Sequence, residues 1–289
     1  MLSDHGRFPY SSIVERPSFS WPQEKKLAVY LALNLEHFSY GQGLGAKLAP
    51  SSEPDVMNYC WREYGNRVGA WRMLSMFDKL ELPVSVLVNT SLYEHCPSLV
   101  RAFSERGDEI VAHGYSNAFA QSRMAADEEK SMISAVTEAI KIHHQAPPQG
   151  WLSPWIAISD VTPDLLAEHG YKYTLNWCHD DQPTWFKTRS GKPFLSIPYP
   201  QEINDIPAII ARHIEGDAFA NMIIDQFDEM LEQSRDQSLV MGIALHAYIT
   251  GQPFRLRHLR RALEHICQER DAVWICTAGD IARYFATLG

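Results

Sequence analysis

Leu27-Ala-Val-Tyr-Leu-Ala-Leu33, followed at once by Asn34-Leu35-Glu36-His37, is the stretch on which the fold turns. The run has the length of a strand, and an apolar run without alternation marks a strand covered on both faces, as in a parallel sheet. A second such run, Leu239-Val-Met-Gly-Ile-Ala-Leu245, ends at His246. Between and beyond them, strand patterns at 84–88, 109–112, 150–153, 171–175, 194–197 and 272–276 alternate with helical patterns at 68–80, 97–106, 127–144, 163–169, 218–234, 256–269 and 279–287. That alternation predicts parallel β-α units. Seven or eight units without a strong linker predict an α/β chain with one closed or partly closed (β/α) barrel over residues 26–289. Residues 1–25 read as an irregular arm, broken by Pro9, Pro17 and Pro22 and able to pin itself through Phe8, Tyr10, Phe19 and Trp21. Residues 39–58, rich in Gly, Ser and Pro, read as a long loop directly after the first strand, and such loops tend to be functional.

In a barrel of this type the chemistry gathers at the carboxyl ends of the strands. The first strand ends in Asn34-Leu35-Glu36, the third in His113-Gly-Tyr115-Ser-Asn117, and the late apolar strand in His246. The 84–88 strand is followed by Asn89-Thr90, the 150–153 strand by Pro154-Trp155, and the 171–175 strand by Asn176-Trp177 leading to Asp180-Asp181. Two histidines and a carboxylate at three strand ends make Glu36, His113 and His246 the candidate catalytic set. Each also has a plainer reading, as a carboxylate paired with an arginine or as a buried, satisfied histidine. A Glu at the rim of an apolar strand is expected to be desolvated and its pKa raised, which suits proton transfer near neutrality. His95, His169, His258 and His265 fall in helical or surface contexts and read as structural.

The bulk properties narrow the field. A net charge of −9 over 289 residues argues against a nucleic-acid surface or an anionic membrane. Five scattered cysteines without a C-x-x-C pair argue against a disulfide framework or a zinc-thiolate site. With neither a secretory apolar core near the N-terminus nor a run of bilayer length, the expectation is a cytoplasmic location. The eight Trp and twelve Tyr suggest core and oligomer packing, with some residues left to line a pocket.

The ordered motifs resemble the polysaccharide deacetylase superfamily (carbohydrate esterase family 4, NodB-like), and most of all its branch of metal-independent allantoinases and peptidoglycan-deacetylase-like proteins. The resemblance rests on Asn34-Leu-Glu36, Glu63-Tyr-Gly-Asn-Arg67 with Trp71-Arg72, His113-Gly-Tyr115, Gly150-Trp-Leu-Ser-Pro154, Asp180-Asp-Gln-Pro-Thr-Trp185, Ile197-Pro-Tyr199 with Asn204-Asp205, and His246 with Gly251-Gln-Pro-Phe-Arg255. It implies a distorted (β/α) barrel of the deacetylase type. In metal-dependent members an Asp base, an Asp ligand and a His-x-x-x-His pair surround the ion. Here those positions carry Asn34, Glu36, His113 and Asn117. An amide cannot act as a carboxylate base and is a poor Zn²⁺ partner. The expectation is therefore no cofactor, or at most a weakly held divalent metal such as Zn²⁺ on Glu36, His113 and Asn117.

The implied activity is hydrolysis of a carbon–nitrogen bond in a small cyclic amide or ureide. Glu36 would activate or position water, His113 would orient it or polarise the carbonyl, and His246 would protonate the leaving nitrogen. Asn34 and Asn117 would hold the oxyanion, Tyr115, Trp151, Trp155 and Trp185 would enclose the ring, and Asp181 and Arg255 would bind polar parts of the substrate. The alternatives are N-deacetylation of an amino sugar with weakly bound metal, and a carbohydrate or metabolite binder without catalysis. The expected partners are a small-molecule substrate and further copies of the chain, as a homodimer or homotetramer.

Overall fold

β1 (Leu27–Leu35) is buried along its whole length, and the sheet is built around it. The computed structural model describes residues 4–288. After β1 come α1 (Val56–Tyr64), α2 (Ala70–Lys79), β2 (Val84–Val88), α3 (Leu92–His95), α4 (Pro97–Glu105) and β3 (Glu109–Ala112). Then follow α5 (Ala126–His144), β4 (Gly150–Trp151), α6 (Thr162–Glu168), β5 (Tyr173–Thr174), β6 (Thr184–Trp185) and β7 (Leu195–Ser196). The chain closes with α7 (Gly216–Gln233), β8 (Leu239–His246), α8 (Pro253–Gln268), β9 (Val273–Cys276) and α9 (Ala278–Phe285).

The strand order is β6-β7-β5-β4-β3-β2-β1-β8, with β9 paired to the first half of β1. Every pairing is parallel except β6 with β7. The sheet curls, and the segment after β7 returns to β8 through the Asn204–Ala244 bridge, giving the expected distorted (β/α) barrel. No helix among the described residues is long and apolar enough to cross a membrane.

Side chains alternate along each strand, so parity sorts the core into two. Ala28, Tyr30, Ala32, Leu87, Val111, Leu152, Tyr173, Ile197, Tyr199, Val240 and Ala244 fill the barrel interior. Leu27, Val29, Leu31, Leu33, Val86, Trp151, Met241 and Leu245 face the helical layer. The interior is sealed where the strands begin. There the half-buried Glu109 carboxylate accepts from Ser85 Oγ, Tyr173 OH and the Gly279 N–H, although desolvation still raises its pKa. At the opposite end the strand termini are free to carry chemistry.

Two elements differ from the sequence pattern. The loop after β1 stops sooner than residue 58, because Asp55 caps α1 by accepting from the Asn58 N–H. The two-residue β6 interrupts the β-α rhythm, and so short a strand leaves no periodic signature. The π-helical turn Gly65–Gly69 joins α1 to α2. Its glycines let the turn press on the loop after β8, since a Cβ on Gly69 would lie 2.1 Å from Ala247 O. That approach seats Tyr248 beneath α1.

Candidate active site

Glu36, His113 and His246 meet at the carboxyl ends of β1, β3 and β8. Register explains the meeting. Asn34 pairs with His246, Val88 with Leu35 on one side and Ala112 on the other, so the residues just beyond lie at one level. Parity does the rest, because Glu36 follows Ala32 and Asn34, His113 follows Val111, and His246 follows Ala244 on the interior face. Glu36 Oε1 lies 3.5 Å from His113 Nε2 and 3.6 Å from His246 Nε2. All three side chains are nearly closed from solvent, at 4%, 2% and 5% exposure.

Each group is held from behind. His113 Nδ1 donates to Leu152 O at 2.7 Å, which turns Nε2 toward Glu36, and in the neutral imidazole that buried atom carries the lone pair. His246 Nδ1 bonds Asp205 Oδ1 at 2.6 Å, while Asp205 Oδ2 accepts from the His246 N–H and from Thr250 Oγ. Glu36 accepts from Asn117 Nδ2 on one oxygen and from Tyr248 OH, at 2.8 Å, on the other.

The electrostatics reverse one expectation. Burial pushes the Glu36 carboxyl up, but His246, His113 and Tyr248 together outweigh it, and the net direction is downward. Burial likewise pushes His246 down, yet Asp205 and Glu36 outweigh it and leave its pKa raised. Both shifts favour the charged forms, carboxylate and imidazolium, against the upward shift expected of a desolvated Glu.

The orientation of Asn117 bears on metal binding. The His37 backbone N–H donates to Asn89 Oδ1, which fixes the Asn89 amide. Asn89 Nδ2 then faces His113 O and Asn117 Oδ1, which in turn points Asn117 Nδ2 at Glu36. At the position where metal-dependent members carry the second histidine ligand, this chain offers an N–H. Glu36, His113 and Asn117, so arranged, do not present three lone pairs to one cation, and the donor set does not fit a zinc triad.

The remaining sequence candidates divide. Asn34 is buried beside the cluster, but both its N–H groups are committed, to Tyr199 OH and Leu245 O, so it has none left for an oxyanion. Trp155 sits at the rim, its ring N–H donating to Asn117 O and its side chain 40% exposed. Tyr115 is exposed on the same loop as His113 and Asn117. Trp151 is not a pocket residue. Its parity is opposite to that of Leu152, so it is fully buried under the helices, bonded to Ser153 and Gln121 and packed edge-on against Tyr171. Trp151→Ala is expected to destabilise the fold by about 3–5 kcal/mol, read as a lower denaturant midpoint. Trp155→Ala should leave that midpoint nearly unchanged and raise KM instead.

Asp181 and Trp185 lie at the wrong end of the barrel. Asp181 O accepts from Val240 N near the start of β8, and Trp185 packs on Phe285. Both line a groove of about 1110 Å³ between the N-terminal arm and α9, where Arg16 bonds Asp180 and Phe8 stacks on His179. Arg255 packs over Phe254 in the first turn of α8 and lines a separate pocket of about 140 Å³ with Leu48, His213 and Glu215. Burial lowers its pKa, against the pull of Asp205 and Glu215.

Asp205, Tyr248 and Asn89 complete the site and were not among the sequence candidates. Asp205 stood in a family motif without a role, and Asn89 was visible as a polar residue at a strand end. Tyr248 carried no signal, because it reaches Glu36 from beyond β8 by way of the glycine turn.

Comparison with known proteins agrees with the fold. The family model described as polysaccharide deacetylase matches residues 61–174. A Schizosaccharomyces pombe protein assigned as a polysaccharide deacetylase is 26% identical over 297 residues, covering 91% of each chain. Peptidoglycan deacetylase of Helicobacter pylori is 25% identical over 254 residues, covering 77% of this chain and 85% of its own. The crystal structure of Puue allantoinase superposes with a TM-score of 0.86 at 25% identity, covering 97% of this chain and 98% of that one.

Proposed function

We propose that this chain, which matches the polysaccharide deacetylase family model over residues 61–174 and is similar to deacetylases over most of its length, opens a small cyclic amide or ureide by general acid–base catalysis without a metal at Glu36. The observation that carries this reading is the Asn117 N–H directed at a Glu36 carboxylate flanked by two imidazole Nε2 atoms.

Glu36 Oε1 and neutral His113 Nε2, 3.5 Å apart, together accept the hydrogens of an attacking water. As the water oxygen bonds the carbonyl carbon, its proton passes to this acceptor pair. His246, kept protonated by Asp205 and Glu36, delivers the proton that the leaving nitrogen requires as the C–N bond breaks. Asp205 is a positioning residue that fixes the Nδ1–H tautomer and orients Nε2. Trp155, whose ring N–H bonds Asn117 O, borders the mouth of the site.

A second reading, N-deacetylation of an amino sugar, draws on the likeness to peptidoglycan deacetylase. A hydrolysis screen separates the two, using allantoin, hydantoin, dihydrouracil and succinimide beside N-acetylglucosamine oligomers, each with and without EDTA. Ring opening that persists in EDTA is the expected result. Turnover confined to N-acetyl sugars and restored by Zn²⁺ after EDTA would replace the first reading by the second. Binding of any of these without turnover would make the chain a binder.

A further inference from the structure

We propose that His37, Glu63 and His95 form a binding site for one divalent transition-metal ion of the zinc class, separate from the Glu36 cluster. One ligating atom from each of the three side chains lies within 4.8 Å of the others. They come from three elements: His37 just beyond β1, Glu63 in α1 and His95 at the end of α3. Two imidazoles and one carboxylate form a donor set that suits Zn²⁺ and its neighbours better than Mg²⁺ or Ca²⁺, which prefer oxygen alone.

His37 is placed as a ligand would be. Its N–H donates to Asn89 Oδ1, and its carbonyl accepts from the Asn117 N–H and from Ser116 Oγ. Ser91 Oγ lies 2.9 Å from Nδ1, and with Nδ1–H donated there the Nε2 lone pair is free. An outer partner of this kind sets the tautomer of a metal-bound histidine. Both Glu63 oxygens lie 3.0 Å from His95 Nε2, and the Glu63 side chain is only 13% exposed. The rings of His37 and His95 stack at 4.2 Å and 17°, an arrangement that two protonated rings would resist. Coordination requires the His95 ring to turn out of this stack towards the cation. Its 31% exposed side chain leaves room for that turn. A bound ion would tie together the ends of β1, α1 and α3, one residue away from Glu36 in sequence.

The site does not depend on the proposed activity, and its test reads metal and stability. The full chain, stripped with chelator and then exposed to ZnCl₂, should retain about one equivalent after gel filtration and show a higher Tm. His95→Ala, a change at a partly exposed position, should weaken Zn²⁺ binding by about 10–100-fold or more and lose the Tm gain. Glu63→Gln should do the same, while His113→Ala keeps the ion. No retained zinc in the wild type, unchanged affinity in His95→Ala, or loss of the ion in His113→Ala would each overturn the assignment.

Discussion

Glu36→Gln should lower kcat by about 10²–10⁴-fold on whichever substrate the hydrolysis screen identifies, with the fold intact. Glutamine has nearly the same shape, so the loss reads charge and not packing. The two groups that bond Glu36, Asn117 Nδ2 and Tyr248 OH, are both donors in the native arrangement. A carboxylate accepts both, whereas an amide meets one of them with its own N–H. The tyrosine hydroxyl can turn to accept, so the structural cost is about 1–3 kcal/mol, which a thermal melt will read as a modest shift.

The larger consequence is electrostatic. The carboxylate is one of the two charges that keep His246 protonated, so the variant loses a water-holding group and weakens the acid in one step. The stability profile should change as well. A carboxyl with a lowered pKa contributes stability that is present above its ordinary range and lost as pH falls through the folded value. The acid-side decline in Tm should therefore be shallower in Glu36→Gln. Turnover within tenfold of the parent chain would remove Glu36 from the mechanism.

How much of this could be read in the residues follows from which forces act locally. The apolar runs at Leu27–Leu33 and Leu239–Leu245 are long enough to declare buried parallel strands, and Glu36 and His246 lie at the ends of those strands. Strand parity was present in the sequence and would also have separated Trp151 from Leu152. Asp181 and Trp185 misled because they follow a strand in sequence, but the chain between β5 and β7 turns back to the start of β8. That return is a tertiary event with no periodic mark. The sign of the Glu36 shift was out of reach for the same reason. Burial is legible from an apolar strand, but the opposing pull of His246, His113 and Tyr248 depends on distances set by three other elements.

Asp205→Asn is the sharpest test of the acid. Asp205 is fully buried and accepts from three donors: His246 Nδ1–H, the His246 backbone N–H and Thr250 Oγ. An asparagine whose oxygen keeps the backbone N–H turns its own N–H₂ toward Nδ1. The imidazole is then neutral and protonated on Nε2, where it can no longer be an imidazolium poised over Glu36. Loss of one partner from a buried charged pair costs about 3–5 kcal/mol, and the sign of its pH dependence is fixed. A histidine whose folded pKa is raised contributes stability that is fully present below its unfolded value and lost as pH rises through the folded one. The variant should thus lose most stability at pH 6 and below, and approach the parent chain at alkaline pH.

In kinetics, the alkaline limb of kcat/KM reports His246 in the free enzyme. It should move to lower pH by about 1–3 units, while substrate affinity changes little because Asp205 lies behind the imidazole. A merely structural Asp205 would lower Tm and leave the limb in place. An unmoved limb with reduced stability would therefore assign the proton donor elsewhere, and His246→Ala, measured beside it, would then retain activity.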